Sequence, residues 1–272
     1  MPHRTKRSRR LAVIGTILAV ALLVGFVSFP LLSGLVAPLV PTRVEDAVGA
    51  EMIKDTATDG SFCIEPEGMA ALQTLLERLA VHAPDYEFKL YVSSQEVVNA
   101  FAAPGAHMVL FKPIITQAEG PNEVAGVLAH EMGHVIEMHP TEGLVEAVGY
   151  GIFGMLTPGG EQQKQVAKAL LTNHYSRSDE LDADRKGVEL LNAAGIDSHG
   201  LFSFFARLQD SDEVIPGAVE FMSTHPSGDT RAANLEDVVA DGEPALSEPE
   251  WAALQHICDK TGAPEAVTVV GG

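Results

Sequence analysis

Apolar residues recur along this chain with two different periods, and the change between them divides it. Residues 44–56 and 66–82 follow a helical pattern; in the second, Met69, Leu72, Leu75, Leu76 and Leu79 share one face. Glu87–Ser93 alternates instead, with Phe88, Leu90 and Val92 on one side, which predicts a strand. Val97–Phe101 and Met108–Phe111 flank Ala103-Pro104-Gly105-Ala106 and read as a hairpin. From Asn122 the helical period returns, predicting helices over 122–138, 141–156, 161–173, 177–194 and 198–209. Pro158, Gly159 and Gly160 interrupt the second and third of these. Two more helices are expected over Asp229–Val239 and 248–259. The pattern predicts an α+β fold, predominantly helical, with a small antiparallel sheet ahead of its main helices. Met108–Phe111 reads either as an edge that receives an extended peptide or as an ordinary buried strand.

The amino terminus has another character. Leu11–Phe29 contains no charge, and nineteen helical residues span roughly 28 Å, close to the hydrocarbon core of a bilayer. Arg4, Lys6, Arg7, Arg9 and Arg10 precede it with no acidic residue among them. A cleaved signal peptide shares these features, which would leave a soluble secreted protein. Its apolar run is normally shorter, however, and Pro38 after Ala37 is a poor cleavage junction. The expected organisation is a basic cytoplasmic tail (1–10), one transmembrane helix and linker (11–40) and a folded domain (41–272) outside the cytoplasm.

Composition adds limits rather than an activity. Hydrophobic residues make up 46% of the chain, enough for a packed core. The net charge of −19 repels nucleic acid, so no nucleic-acid partner is expected. Cys63 and Cys258, the only cysteines, are too few for a cysteine-based metal site. Outside the cytoplasm they can pair as a disulfide; two buried thiols are the alternative.

The chemistry concentrates at His130-Glu131-Met132-Gly133-His134. On a helix the two histidines share a face and can meet one zinc ion, while Glu131 can reach a water beside it. The uncharged flanks Val127, Leu128, Val135 and Ile136 predict that this helix is buried. A catalytic zinc needs a third protein ligand and an open position. His139 does not complete the metzincin pattern, because Glu137 and Pro140 stand where that pattern has glycine and histidine. Glu180 is the better ligand, with Asp184 one turn later to accept from the far nitrogen of a ligand histidine. Gly133 and Ala183 are small enough for the two helices to approach closely.

With Tyr175-Ser176-Arg177 and Glu180-x-x-Ala183-Asp184 after the histidine motif, the chain resembles the HtpX and CAAX prenyl protease family of gluzincin zinc metallopeptidases. Asn99-Ala100-Phe101-Ala102 with Pro104-Gly105, and Thr224-His225-Pro226-Ser227 with Arg231, extend the likeness over residues 60–240. A single membrane segment places it nearer the periplasmic BepA-like and mitochondrial inner-membrane quality-control branches. The resemblance implies one Zn2+ per chain on His130, His134 and Glu180, Glu131 as catalytic residue and Asp184 as proton donor. It also implies unfolded or misassembled proteins as substrates and an inner-membrane location. His225 and Arg231 are candidate oxyanion donors, with local structural roles as the alternative. His225 is also a candidate occupant of the open zinc position, and Leu144–Met155, rich in glycine, a candidate cover. A zinc-containing chaperone-like or assembly-factor module is the competing function.

Overall fold

The computed structural model describes residues 13–14, 16, 30–58, 61–155, 175–210, 225 and 235–272. In chain order the elements are α1 (Pro30–Val36), a 3-10 turn (Ala37–Leu39), α2 (Thr42–Thr58), β1 (Phe62–Cys63), α3 (Pro66–Ala80), β2 (Glu87–Ser93), β3 (Ala100–Ala103) and β4 (His107–Phe111). There follow α4 (Lys112–Thr116), α5 (Pro121–Ile136), α6 (His139–Met155), α7 (Arg177–Ala193), α8 (Gly200–Asp210) and α9 (Glu248–Gln255). A 3-10 turn (Ile257–Asp259) and the short strands β5 (Thr261–Gly262) and β6 (Val267–Val270) complete the order. The expected helix over 161–173 and the Pro158–Gly160 break lie outside the described residues, as does most of Asp229–Val239.

Two compact units divide the chain: residues 1–39 with 142–171, and residues 40–141 with 172–272. Within the first, Ser33 Oγ donates to Glu146 Oε1 over 2.9 Å. Among the described residues no helix is long and apolar enough to cross a membrane. The apolar run Leu11–Phe29 lies outside them except at Val13, Ile14 and Thr16.

The second unit is mostly helical and contains the sheet, which is mixed rather than antiparallel. Strand order is β3-β4-β2-β1-β5, with β6 also on β2. β3 and β4 form the expected antiparallel hairpin (Phe101 opposite Val109), with the first strand at 100–103 rather than 97–101, but β4 then runs parallel to β2 (Leu90 opposite Met108). The chain leaving β2 passes beyond the position of β4 before turning back, so the second hairpin strand fills the gap. Met108–Phe111 is therefore an interior strand, every residue of it buried, and β3 is the edge. A continuous apolar run is what an interior position requires. Cys63 in β1 is disulfide-bonded to Cys258 in the turn after α9, closing the sheet onto the carboxyl-terminal segment.

Helix α5 is the centre of this unit. Gly120 and Pro121 open it, proline losing nothing at the first helical position, where its missing N–H has no partner in any case. Every residue from Glu123 to Val135 is buried, because α7, α8 and β3 pack around it. Ser176 starts α7 with a capping box: its hydroxyl accepts from the Asp179 amide, and the Asp179 carboxylate accepts from the Ser176 amide over 2.9 Å. Where α7 crosses α5, a Cβ added to Gly133 would stand 2.4 Å from the Ala183 carbonyl oxygen. Gly133→Ala is therefore expected to destabilise the fold by about 1–3 kcal/mol, the usual cost of overpacking. Urea unfolding of the metal-free protein measures this, and an unchanged midpoint would mean that the helices separate freely.

Candidate metal centre

Helix α5 carries His130 and His134 one turn apart, and α7 presents Glu180 from its first turn, just after the cap. His225 joins them from a distant segment. All four side chains are buried, and each offers one ligand atom within 4.8 Å of the others. Nε2 of His130 lies 3.1 Å from Nε2 of His134, 3.2 Å from Nδ1 of His225 and 3.5 Å from Oε2 of Glu180. Oε1 of Glu180 lies 3.4 Å from Nε2 of His134 and 3.2 Å from Nδ1 of His225. Four donors bonded tetrahedrally to zinc at ~2.0–2.1 Å stand about 3.3–3.4 Å apart, so this spacing fits such an ion.

The far nitrogens are held as well. Nδ1 of His130 is 2.9 Å from Oδ1 of Asp184, and Nδ1 of His134 is 2.9 Å from Nδ1 of His139. Tyr175 stacks on the His134 ring with centroids 3.9 Å apart and planes 18° from parallel. Phe205 of α8 meets the His130 ring edge-on at 5.9 Å. Both oxygens of Glu131 are buried without a well-formed hydrogen bond; Nε2 of His225 stands 3.6 Å from Oε1, and the Ala102 backbone also faces this carboxylate. Nε2 of His225 is 3.4 Å from the Ala100 carbonyl oxygen, so β3 forms a wall of the centre.

Protonation follows from burial and mutual charge. Burial pushes the His134 pKa well below its ordinary value, against the Glu180 carboxylate, which favours the cation. Burial alone would raise Glu180, but His225, His134 and His130 together hold it well below the usual carboxylate range. A neutral imidazole and an ionised carboxylate are the states a metal requires of its ligands. Burial raises the pKa of Glu131, and raises that of Tyr175 strongly, so the phenol stays protonated.

The structure thus gathers His130, Glu131, His134, Glu180, Asp184 and His225, while Arg231 lies outside the described residues. Sequence reasoning gave no role to Tyr175 and set His139 aside. The available signals were an aromatic next to the Ser176 cap and a histidine just beyond the end of a buried helix.

Comparison with known proteins decides the lineage. The model of Peptidase family M48 matches residues 66–239, which include the whole of α5 and α7. The chain belongs to peptidase family M48. It is similar to the beta-barrel assembly-enhancing protease of Yersinia pestis, 24% identical over 248 residues that make up 81% of this chain and 50% of that protein. It is similar also to the mitochondrial metalloendopeptidase OMA1 of Schizosaccharomyces pombe, 27% identical over 164 residues, 58% of this chain and 49% of that one. The metalloprotease LoiP of Escherichia coli (strain K12) is 28% identical over 174 residues, 60% of this chain and 66% of that one. The chain spans about half the length of the first two.

Peptidases of this family are metal-dependent, and this cluster of donors could hold the ion. Calorimetric titration of the metal-free chain is expected to saturate at one divalent ion per chain. No uptake, or two sites of equal affinity, would contradict the geometry.

Proposed function

We propose that this chain is a zinc-dependent endopeptidase, and that His130, His134 and Glu180 hold one Zn2+. The convergence of His130, His134, Glu180 and His225 on one buried point carries the reading. When bound, zinc supplies Lewis-acid polarisation of a carbonyl and acidifies a water. Glu131 is the base: it takes the proton of the attacking water as the oxygen bonds to the peptide carbon. It then delivers that proton to the amine nitrogen as the C–N bond breaks. Asp184, behind the His130 ring and 2.9 Å from Nδ1, suits a positioning acceptor better than a proton donor to substrate. His225, whose ligand atom lies with those of His130, His134 and Glu180, would be a further donor to the ion at rest and would turn to the developing oxyanion together with Arg231. The edge of β3 that pairs with no strand among the described residues, in place of Met108–Phe111, receives the substrate strand.

The physiological setting belongs to the same proposal. Residues 41–272 form the catalytic domain, 11–40 the membrane anchor and linker, and 1–10 a cytoplasmic tail. The enzyme sits in the inner membrane as a single-pass protein facing the periplasm. Its substrates are unfolded or misassembled envelope proteins, a role supported by the name of the beta-barrel assembly-enhancing relative. The four protein donors also favour a second reading, since closed four-ligand sites are usually structural: a chaperone-like module with little proteolytic activity.

Proteolysis of an unfolded protein, measured beside zinc content, tests both readings. Glu131→Gln is expected to keep zinc and lose roughly 10²–10⁴-fold in kcat. Glu180→Ala should lose the ion, and His225→Ala should keep it with one nitrogen fewer in X-ray absorption. Full zinc in Glu180→Ala would overturn the ligand set, and an inert, zinc-loaded wild type would favour the chaperone-like module. For topology, a reporter fused after Gly272 should be active only outside the cytoplasm; activity inside would overturn the orientation.

A further inference from the structure

His139 is the one buried histidine of the centre to which the proposed reaction gives no task. Its Nδ1 lies 2.9 Å from Nδ1 of His134, and at that distance one nitrogen must donate and the other accept. Nε2 of His134 faces Nε2 of His130 at 3.1 Å and Oε1 of Glu180 at 3.4 Å, so this is the nitrogen turned to the centre. A ligand nitrogen offers a bare lone pair, which leaves the hydrogen of neutral His134 on Nδ1. His139 Nδ1 is then the acceptor, and its own hydrogen sits on Nε2.

We propose that His139 is a positioning residue that fixes the tautomer and ring direction of His134, and through it the affinity for the metal. This inference rests on the zinc-site reading given above. His139 is not a ligand, since it lies behind the His134 ring on the side away from the other donors. The backbone is bent to deliver it. Met138, between the end of α5 and His139, has φ 63°, a left-handed conformation that a side chain with Cβ rarely adopts. The Met138 amide donates to the Val135 carbonyl over 3.0 Å, and the Thr141 amide to the Met138 carbonyl over 3.0 Å, which hold the bend in place. Strained backbone persists where its surroundings fix it, and here it turns an imidazole back over the last turn of α5. Tyr175 covers a face of the same ring, so His134 is fixed in its plane by His139 and against tilting by the phenol. The two ligand histidines therefore differ: His130 is backed by a carboxyl group and His134 by an imidazole.

The test compares zinc affinities of metal-free full-length wild type, His139→Leu and His139→Asn by chelator competition. The amide oxygen of asparagine stands close to the position of Nδ1 and accepts as it does; leucine fills the space without accepting. The leucine variant is expected to bind zinc about 10–100-fold more weakly, and the asparagine variant to stay within about threefold of wild type. Circular dichroism and thermal unfolding of the metal-free proteins identify any variant that fails to fold, in which case His139→Gln and His139→Asn are compared, with asparagine expected to bind more tightly. Wild-type affinity in the leucine variant, a loss in asparagine equal to that in leucine, or glutamine equal to asparagine would overturn the proposal. Absence of zinc binding by wild type would instead overturn the zinc-site reading itself, and this inference with it.

Discussion

The contact between Gly133 and Ala183 is the constraint on which the centre depends. His130 and His134 are set by one helix and need no help from the tertiary fold to share a face. Glu180 is different, because it meets them only if α7 approaches α5 closely enough for backbone to touch backbone. A Cβ on Gly133 would stand 2.4 Å from the Ala183 carbonyl oxygen, and one turn further along α7 a Cβ on Gly187 would stand 3.2 Å from the Ala129 carbonyl, a close but looser approach. The cap at Ser176 then fixes where α7 begins, which places Glu180 in its first turn rather than on a frayed end.

Burying this cluster is costly in itself. An ionised carboxylate removed from water loses several kcal/mol of solvation unless charge or hydrogen bonds replace it. Glu180 recovers part of this from the imidazoles of His225, His134 and His130, but burial opposes protonation of His134. A cation at the common point resolves the conflict: it compensates the carboxylate while leaving every ring neutral. The donors come from α5, α7 and the segment at residue 225, so a bound ion would also cross-link parts of the chain that are distant in sequence.

What the sequence revealed and what it hid divide along the range of the interactions involved. The motif at 130–134 and the acidic pair at 180 and 184 were legible because helical spacing is local. So were the main helices among the described residues, from Thr42–Thr58 to Gly200–Asp210, within a few residues at their ends, the expected helix over 161–173 lying outside them. The sheet was less legible. Its hairpin carried a turn signal, but nothing local says that β4 pairs parallel with β2, and β1, β5 and β6 are too short to show a period. The Cys63–Cys258 bond was one of two readings, since pairing depends on a separation of 195 residues being closed by the fold. His139 was discarded by a motif rule written for direct ligands. Its contact depends on a left-handed Met138, a conformation that side-chain chemistry does not announce.

The position of β3 links the sheet to the chemistry. Among the described residues it pairs with β4 alone, leaving its other edge without a strand. Edge strands invite indiscriminate pairing, and this one is kept to four residues, closed by Pro104 and Gly105. Its backbone is also the part of the sheet nearest the centre: the Ala100 carbonyl faces His225, the Ala102 carbonyl accepts from the Tyr175 hydroxyl at 3.5 Å, and Glu131 lies beside Ala102. A peptide adding to this edge would compete with His225 for the Ala100 carbonyl. Under the proposed function, the strand that binds substrate thus also helps hold the imidazole that closes the site. Occupation of the edge and opening of the fourth position would then be one event, because both use the same backbone atom.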